Sequence, residues 1–145
     1  MFNYPIGSWD VSNVTKMESM FHYTSEFNQP IGSWDVSNVT DMGYMLQGAT
    51  AFNQPIGSWD VSNVTNMIRL VWTASAFDKP INTQEVTVNG STYPSWDVSS
   101  VSDLSSLFDG SPTFHHPLRR LTVDAVRCIQ YTFQHPVAFD NYITT

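Results

Sequence analysis

Residues 5–15 read Pro-Ile-Gly-Ser-Trp-Asp-Val-Ser-Asn-Val-Thr, and the same eleven residues return at Pro30–Thr40 and Pro55–Thr65. A weaker copy occupies Ser95–Ser102. A phrase that recurs at a fixed step predicts coils of chain stacked on one another, each burying a face against its neighbour. Counted from phenylalanine, the coils start at Phe2, Phe27, Phe52, Phe77, Phe114 and a truncated Phe139, with spacings of 25, 25, 25, 37 and 25. The long spacing is one period plus a twelve-residue insertion.

Within a coil the apolar ladder is Ile6-x-x-Trp9-x-Val11, repeated as Ile31/Trp34/Val36 and Ile56/Trp59/Val61. This is the L-x-x-L-x-L spacing of a leucine-rich repeat, in which one short strand per coil turns alternate residues inward. Met17, Met20 and Phe21, with Met42/Met45/Leu46 and Met67/Leu70/Val71, follow at spacings of three to four, which predicts a short helix. Thr15, Thr40, Thr65 and Ser102 stand where helix N-caps belong, Thr15 with Glu18 as a capping box, and Gly48 and Gly110 where helices stop. The predicted fold class is therefore an α/β solenoid: a leucine-rich-repeat-like right-handed superhelix with one short strand and one short helix per 25-residue coil.

The insertion, about residues 82–94, predicts a β-hairpin turning at Asn89-Gly90. Residues 1–113 then form four repeat coils, and residues 114–145 a divergent C-terminal capping coil whose residues 122–133 are expected to be helical. Thirteen acidic against six basic residues give a net charge of −7, which argues against nucleic acid and anionic membranes as partners. The charge is uneven, −8 over residues 1–113 (eleven acids, three bases) and +1 over residues 114–145 (two acids, three bases). One cysteine, Cys128, cannot form an internal disulfide, and no apolar run is long enough to span a bilayer. Met1 leads directly into repeat sequence with no signal peptide and no N-terminal cap, so the chain is expected to be the repeat part of a longer protein.

The phrase FNQPIGSWDVSNVT followed by M..M resembles the BspA-like leucine-rich-repeat surface proteins, in the branch that includes mycoplasma repeat lipoproteins. The inserted INTQEVTVNGSTYPSWDVS also looks like an insertion of that branch. The resemblance is strong over residues 2–113 and weak beyond. It implies a right-handed repeat superhelix, a cell-surface or secreted location, adhesion or protein binding, and no known catalytic activity; no cofactor is expected.

Residues between the buried ladder positions face outward and form files: Ser8, Ser33, Ser58 and Ser95, then Asp10, Asp35, Asp60 and Asp97. The Asp file is expected to accept hydrogen bonds from the turn amides of the next Ser or Asn, as Asx-turns. Its functional alternative is an acidic stripe for a cationic partner, or for Ca²⁺ held between coils. Trp9, Trp34, Trp59 and Trp96 are read as core; a carbohydrate-binding surface would need that row to face water. Asn13, Asn38 and Asn63 stand in N-x-T sequons and are expected to turn inward as an asparagine ladder, leaving Asn89 at the hairpin tip as the accessible glycosylation candidate. Ile68 and Trp72 break the pattern of their coil and, flanked by Tyr44, form a candidate partner patch unless the hairpin covers them. Adjacent His115 and His116 are expected to point apart on a strand, which would not make a metal pair; His135 and Cys128 join no catalytic constellation. The expected function is a non-catalytic repeat scaffold for another protein, possible homo-oligomer included. The alternative is a structural subunit stacking through its uncapped first coil, Phe2–Glu26.

Overall fold

A computed structural model describes residues 2–116. The expected helix over residues 122–133, together with His135, Cys128 and the capping coil beyond residue 116, lies outside the described residues. The coils do stack, but not in the predicted secondary structure. Among the described residues there is no helix, and the one sheet is the antiparallel pair β1 (Gln84–Val88) and β2 (Ser91–Ser95). The expected α/β repeat with a strand and a helix in each coil is thereby overturned.

The hydrogen bonds supply the reason. In residues 17–23 the N–H groups of Met17, Ser19, Phe21 and Tyr23 donate to the carbonyls of Asp41, Gly43, Met45 and Gln47 in the next coil, at 2.7–2.9 Å. The intervening N–H groups of Met20, His22 and Thr24 close turns onto Met17, Ser19 and Phe21, each at 3.2 Å. An α-helix capped at Thr15 would need the donors from Ser19 onward for bonds four residues back. Ser19, Tyr23, Tyr44, Arg69, Thr73 and Ser106 hold left-handed φ values of 53–60°, which a helix does not contain. Consecutive turns still bring an apolar side chain inward every three or four residues, so Met17 and Phe21, then Met42, Met45 and Leu46, are buried as a helix would bury them.

The expected strands are likewise turns. Trp9 N–H donates to Ile6 O at 3.0 Å and Val14 N–H to Val11 O at 2.8 Å, and coils two and three repeat both. Among the described residues, parallel pairing between coils is limited to single bridges, Lys16 with Asp41, Asp41 with Asn66, and Asn66 with Asp103. The expected N-caps do a different job. Thr40 N–H and Oγ1 both donate to Thr15 O, Thr65 does the same to Thr40 O, and Ser102 to Thr65 O. Gly48 and Gly110 end no helix; they take left-handed φ values of 69° and 70°.

Like residues form columns through the stack. The rings of Phe27, Phe52, Phe77 and Phe114 lie 5.8–6.0 Å apart and within 12° of parallel. Trp34, Trp59 and Trp96 are buried, and each indole N–H donates to the isoleucine carbonyl of the preceding coil, Ile6, Ile31 and Ile56, at 2.8–3.2 Å. Trp9, in the first coil, is half-exposed.

A further column runs through the Asn-Gln pairs of the coils. Asn28 N–H donates to Asn3 Oδ1, and Gln29 Nε2 donates to Asn3 O and Oδ1, all at 2.9–3.0 Å. Asn53 and Gln54 repeat this on Asn28, and Asp78 N–H donates to Asn53 Oδ1 at 2.9 Å. The Phe-Asn-Gln-Pro segment is thus a ladder of side-chain amides that satisfies backbone groups between coils.

Candidate functional site

The insertion builds the site. Asn89 and Gly90 have φ values of 50° and 84°, as a two-residue hairpin turn requires, and β1 pairs with β2 with Val86 opposite Tyr93 and Val88 opposite Ser91. The same face turns Tyr93 toward the stack, where its hydroxyl donates to Ser58 O at 2.7 Å. The hairpin therefore overhangs the outward Ser/Asp file and encloses a cleft of about 370 Å³ lined by Ser33, Trp34, Asp35, Ser58, Asp60, Tyr93 and neighbouring residues of the turn.

Asp10, Asp35 and Asp60 each use Oδ1 to accept from the N–H and the hydroxyl of the serine two residues on, at 2.6–3.1 Å. Asp97 accepts from Ser99 N–H at 3.0 Å. The Ser12 hydroxyl and N–H hold the Asp10 carboxyl below its ordinary range. Tyr93 is pushed above the ordinary phenol range, first by burial and then by the charges of Asp60 and Asp35. Those carboxylates thus throw a negative potential across the tyrosine side of the cleft.

Of the sequence candidates, Ser33, Asp35, Ser58 and Asp60 come together in the cleft. Ser8 and Asp10 lie exposed at the open end of the same file, and Asp97 continues it beyond the insertion. Ser95 does not face outward. It is fully buried at the base of the hairpin, with its hydroxyl within reach of Gln84 O at 3.2 Å. Tyr44, Ile68 and Trp72 are half-buried on a different side of the coils, where Tyr44 N–H donates to Ile68 O at 2.8 Å and the Arg69 guanidinium lies 4.5 Å from the Trp72 ring centre. The hairpin lies over the Ser/Asp file, not over this patch.

Two expectations are corrected. Asn13, Asn38 and Asn63 are exposed rather than inward, although Asn38 and Asn63 do bond the preceding coil through Ser12 O and Ser37 O at 2.8 Å. Asn89 is exposed as well, so it is not distinguished from the other three by access. His115 and His116 do not point apart. Their rings stack at 4.9 Å, and each brings a nitrogen to 3.1 Å from Asp78 Oδ1. The reason is that this stretch is not a strand but the next rung of the amide ladder, with His115 and His116 where coil three has Asn53 and Gln54.

Fold and cleft together define a stacked-coil protein held by inter-coil ladders, with an acidic cleft roofed by an inserted hairpin. The family model described as "Mycoplasma protein of unknown function, DUF285" matches residues 1–93 and again residues 84–145. The chain belongs to that family. No curated protein and no solved structure matches it. Among the described residues no helix is long and apolar enough to cross a membrane.

Proposed function

We propose that this chain is a non-catalytic binding scaffold that engages a basic segment of another protein through the cleft under the β1–β2 hairpin. The observation that carries the reading is the pairing of two carboxylates with an aromatic ring in one concave site: Asp35 and Asp60 beside Tyr93. Carboxylates take the cationic head of lysine or arginine while an aromatic wall takes its stem. Only Oδ1 of each carboxylate is committed to the turn serine, leaving the other oxygen for a partner. The charge of −8 over residues 1–113 would speed the approach of such a segment. Resemblance to BspA-like surface proteins supports a surface or secreted location and a role in adhesion.

The test is binding of a library of arginine- and lysine-bearing peptides to the wild type and to an Asp35→Asn/Asp60→Asn variant. Asparagine keeps an oxygen for each turn serine, so the coils are retained. Removing the two charges is expected to weaken binding by about tenfold or more at low salt, with the difference shrinking as salt rises. Equal binding by the two proteins refutes the cleft.

A second reading has its own observation. The first coil leaves Phe2, Tyr4, Trp9, Met20 and Tyr23 exposed, from 37% to 72% of their surface. Such a concentration of large apolar side chains suits a structural subunit that stacks through this end. Light scattering over a concentration series is expected to show association that Trp9→Ser abolishes; a monomer at all concentrations removes this reading.

A further inference from the structure

The amide ladder changes chemistry at its last described rungs. Coils one to three carry Asn-Gln or its first member at this level (Asn3, Asn28-Gln29, Asn53-Gln54), whereas the next two carry Asp78-Lys79 and His115-His116. Ladder geometry then forces convergence. Gln29 Nε2 sits on Asn3 O and Oδ1. In the same way His116 Nε2 sits 3.3 Å from Asp78 O and 3.1 Å from Asp78 Oδ1. His115 Nδ1 reaches the same Oδ1 at 3.1 Å. Replacing amides by a carboxylate and two imidazoles puts three metal-ligand atoms within 4.8 Å of one another.

We propose that Asp78, His115 and His116 form a binding site for a divalent transition-metal ion, Zn²⁺ by preference. Ligand atoms at about 2.0–2.1 Å from a tetrahedral Zn²⁺ are about 3.3 Å apart, close to both nitrogen–oxygen separations here. Two imidazoles with one carboxylate select Zn²⁺ and its neighbours over Ca²⁺ and Mg²⁺, which take oxygen. An amide-like role for the histidines leaves one atom unexplained. Asp78 Oδ1 is buried and accepts no hydrogen bond among the described residues, although two ring nitrogens lie beside it. The same two nitrogens lie 2.9 Å from Thr113 O and 3.3 Å from Asp78 O, contacts that need a ring proton and that a bound metal ion would replace. A bound cation would give this carboxylate oxygen the positive partner that two neutral imidazoles do not. His115 is the exposed member, at 65%, so the remaining coordination position opens to water.

The test uses the full chain, stripped with chelator and titrated with Zn²⁺ by calorimetry. One equivalent is expected to bind, to raise the melting temperature, and to be unaffected by excess Ca²⁺. Asp78→Asn, His115→Asn and His116→Gln each restore the residue of coil three, so the ladder and fold are kept. Each is expected to weaken Zn²⁺ binding by more than the ~10–100-fold that loss of a second-shell partner costs. Cys128→Ser is expected to leave it unchanged. Absence of saturable Zn²⁺ binding, or unchanged affinity in any of the three folded variants, overturns the site.

Discussion

Replacing Trp59 by alanine is expected to destabilise the protein by about 3–5 kcal/mol, the range for emptying a fully buried aromatic site. Trp59 is 1% exposed, and its indole N–H holds Ile31 O across the coil boundary at 3.2 Å. That carbonyl keeps a second donor, Trp34 N–H at 3.1 Å, so the loss is mainly the cavity and the transfer of the ring rather than an orphaned acceptor. Trp9 occupies the same place in the repeat but is 50% exposed. Trp9→Ala is therefore expected to cost about 1 kcal/mol or less. Denaturant midpoints of the two variants measure the contrast directly. Equal losses would mean that position in the stack does not set burial, which would remove the basis of the fold described above.

Gly32→Ala carries the second large effect, and its cause is the approach of the neighbouring coil. A Cβ on Gly32 would run into Pro55 O, a backbone atom that cannot rotate away. Gly7 and Gly57 meet Pro30 O and Pro80 O at 2.6 Å in the same manner. Coils two and three would have to part locally, stretching the Trp and Phe columns, at an expected cost of about 3 kcal/mol or more. Gly90→Ala serves as the control. Nothing lies within 4 Å of its added Cβ, but its φ of +84° penalises any side chain. The expected cost there is about 1 kcal/mol. Thermal or chemical denaturation of both variants distinguishes crowding from backbone strain. A Gly32→Ala protein as stable as Gly90→Ala would show that the coils are looser than the described spacing.

These two positions also mark what could be read from sequence and what could not. An identical Trp every 25 residues demands one column, because equal chain lengths return equal residues to equal places. The Asp–Ser turns are local, two residues apart, and so were legible as Asx-turns. Half of the cleft was legible too: Ser33, Asp35, Ser58 and Asp60 were assigned to one outward file. The other half, Tyr93 over Ser58, depends on where a hairpin folds back across 35 residues, which no periodicity encodes.

Apolar spacing points to helix and strand where the chain makes turns, and for a definite reason. Met17 and Phe21 are four apart and both buried, which a helix and a run of turns satisfy equally. The partner of Phe21 N–H decides between them: a helix would give it Met17 O, but it donates to Met45 O, 24 residues on, so only the stack could settle the local conformation. The amide ladder escaped for a related reason. Asn28 and Gln29 stand in the repeated phrase, but their acceptor is Asn3 in another coil. The signal for the Asp78–His115–His116 cluster was nevertheless present, as two changed rungs at the same place in the repeat.

By itself, then, the sequence determined the period, the columns of like residues and the local turns, because these follow from chain length and from neighbours a few bonds away. The tertiary structure alone decided which backbone groups pair, which face the hairpin covers and which side chains converge on Asp78. Each of those depends on contacts between residues 24 or more positions apart, whose bonding partners exist only once the coils are stacked.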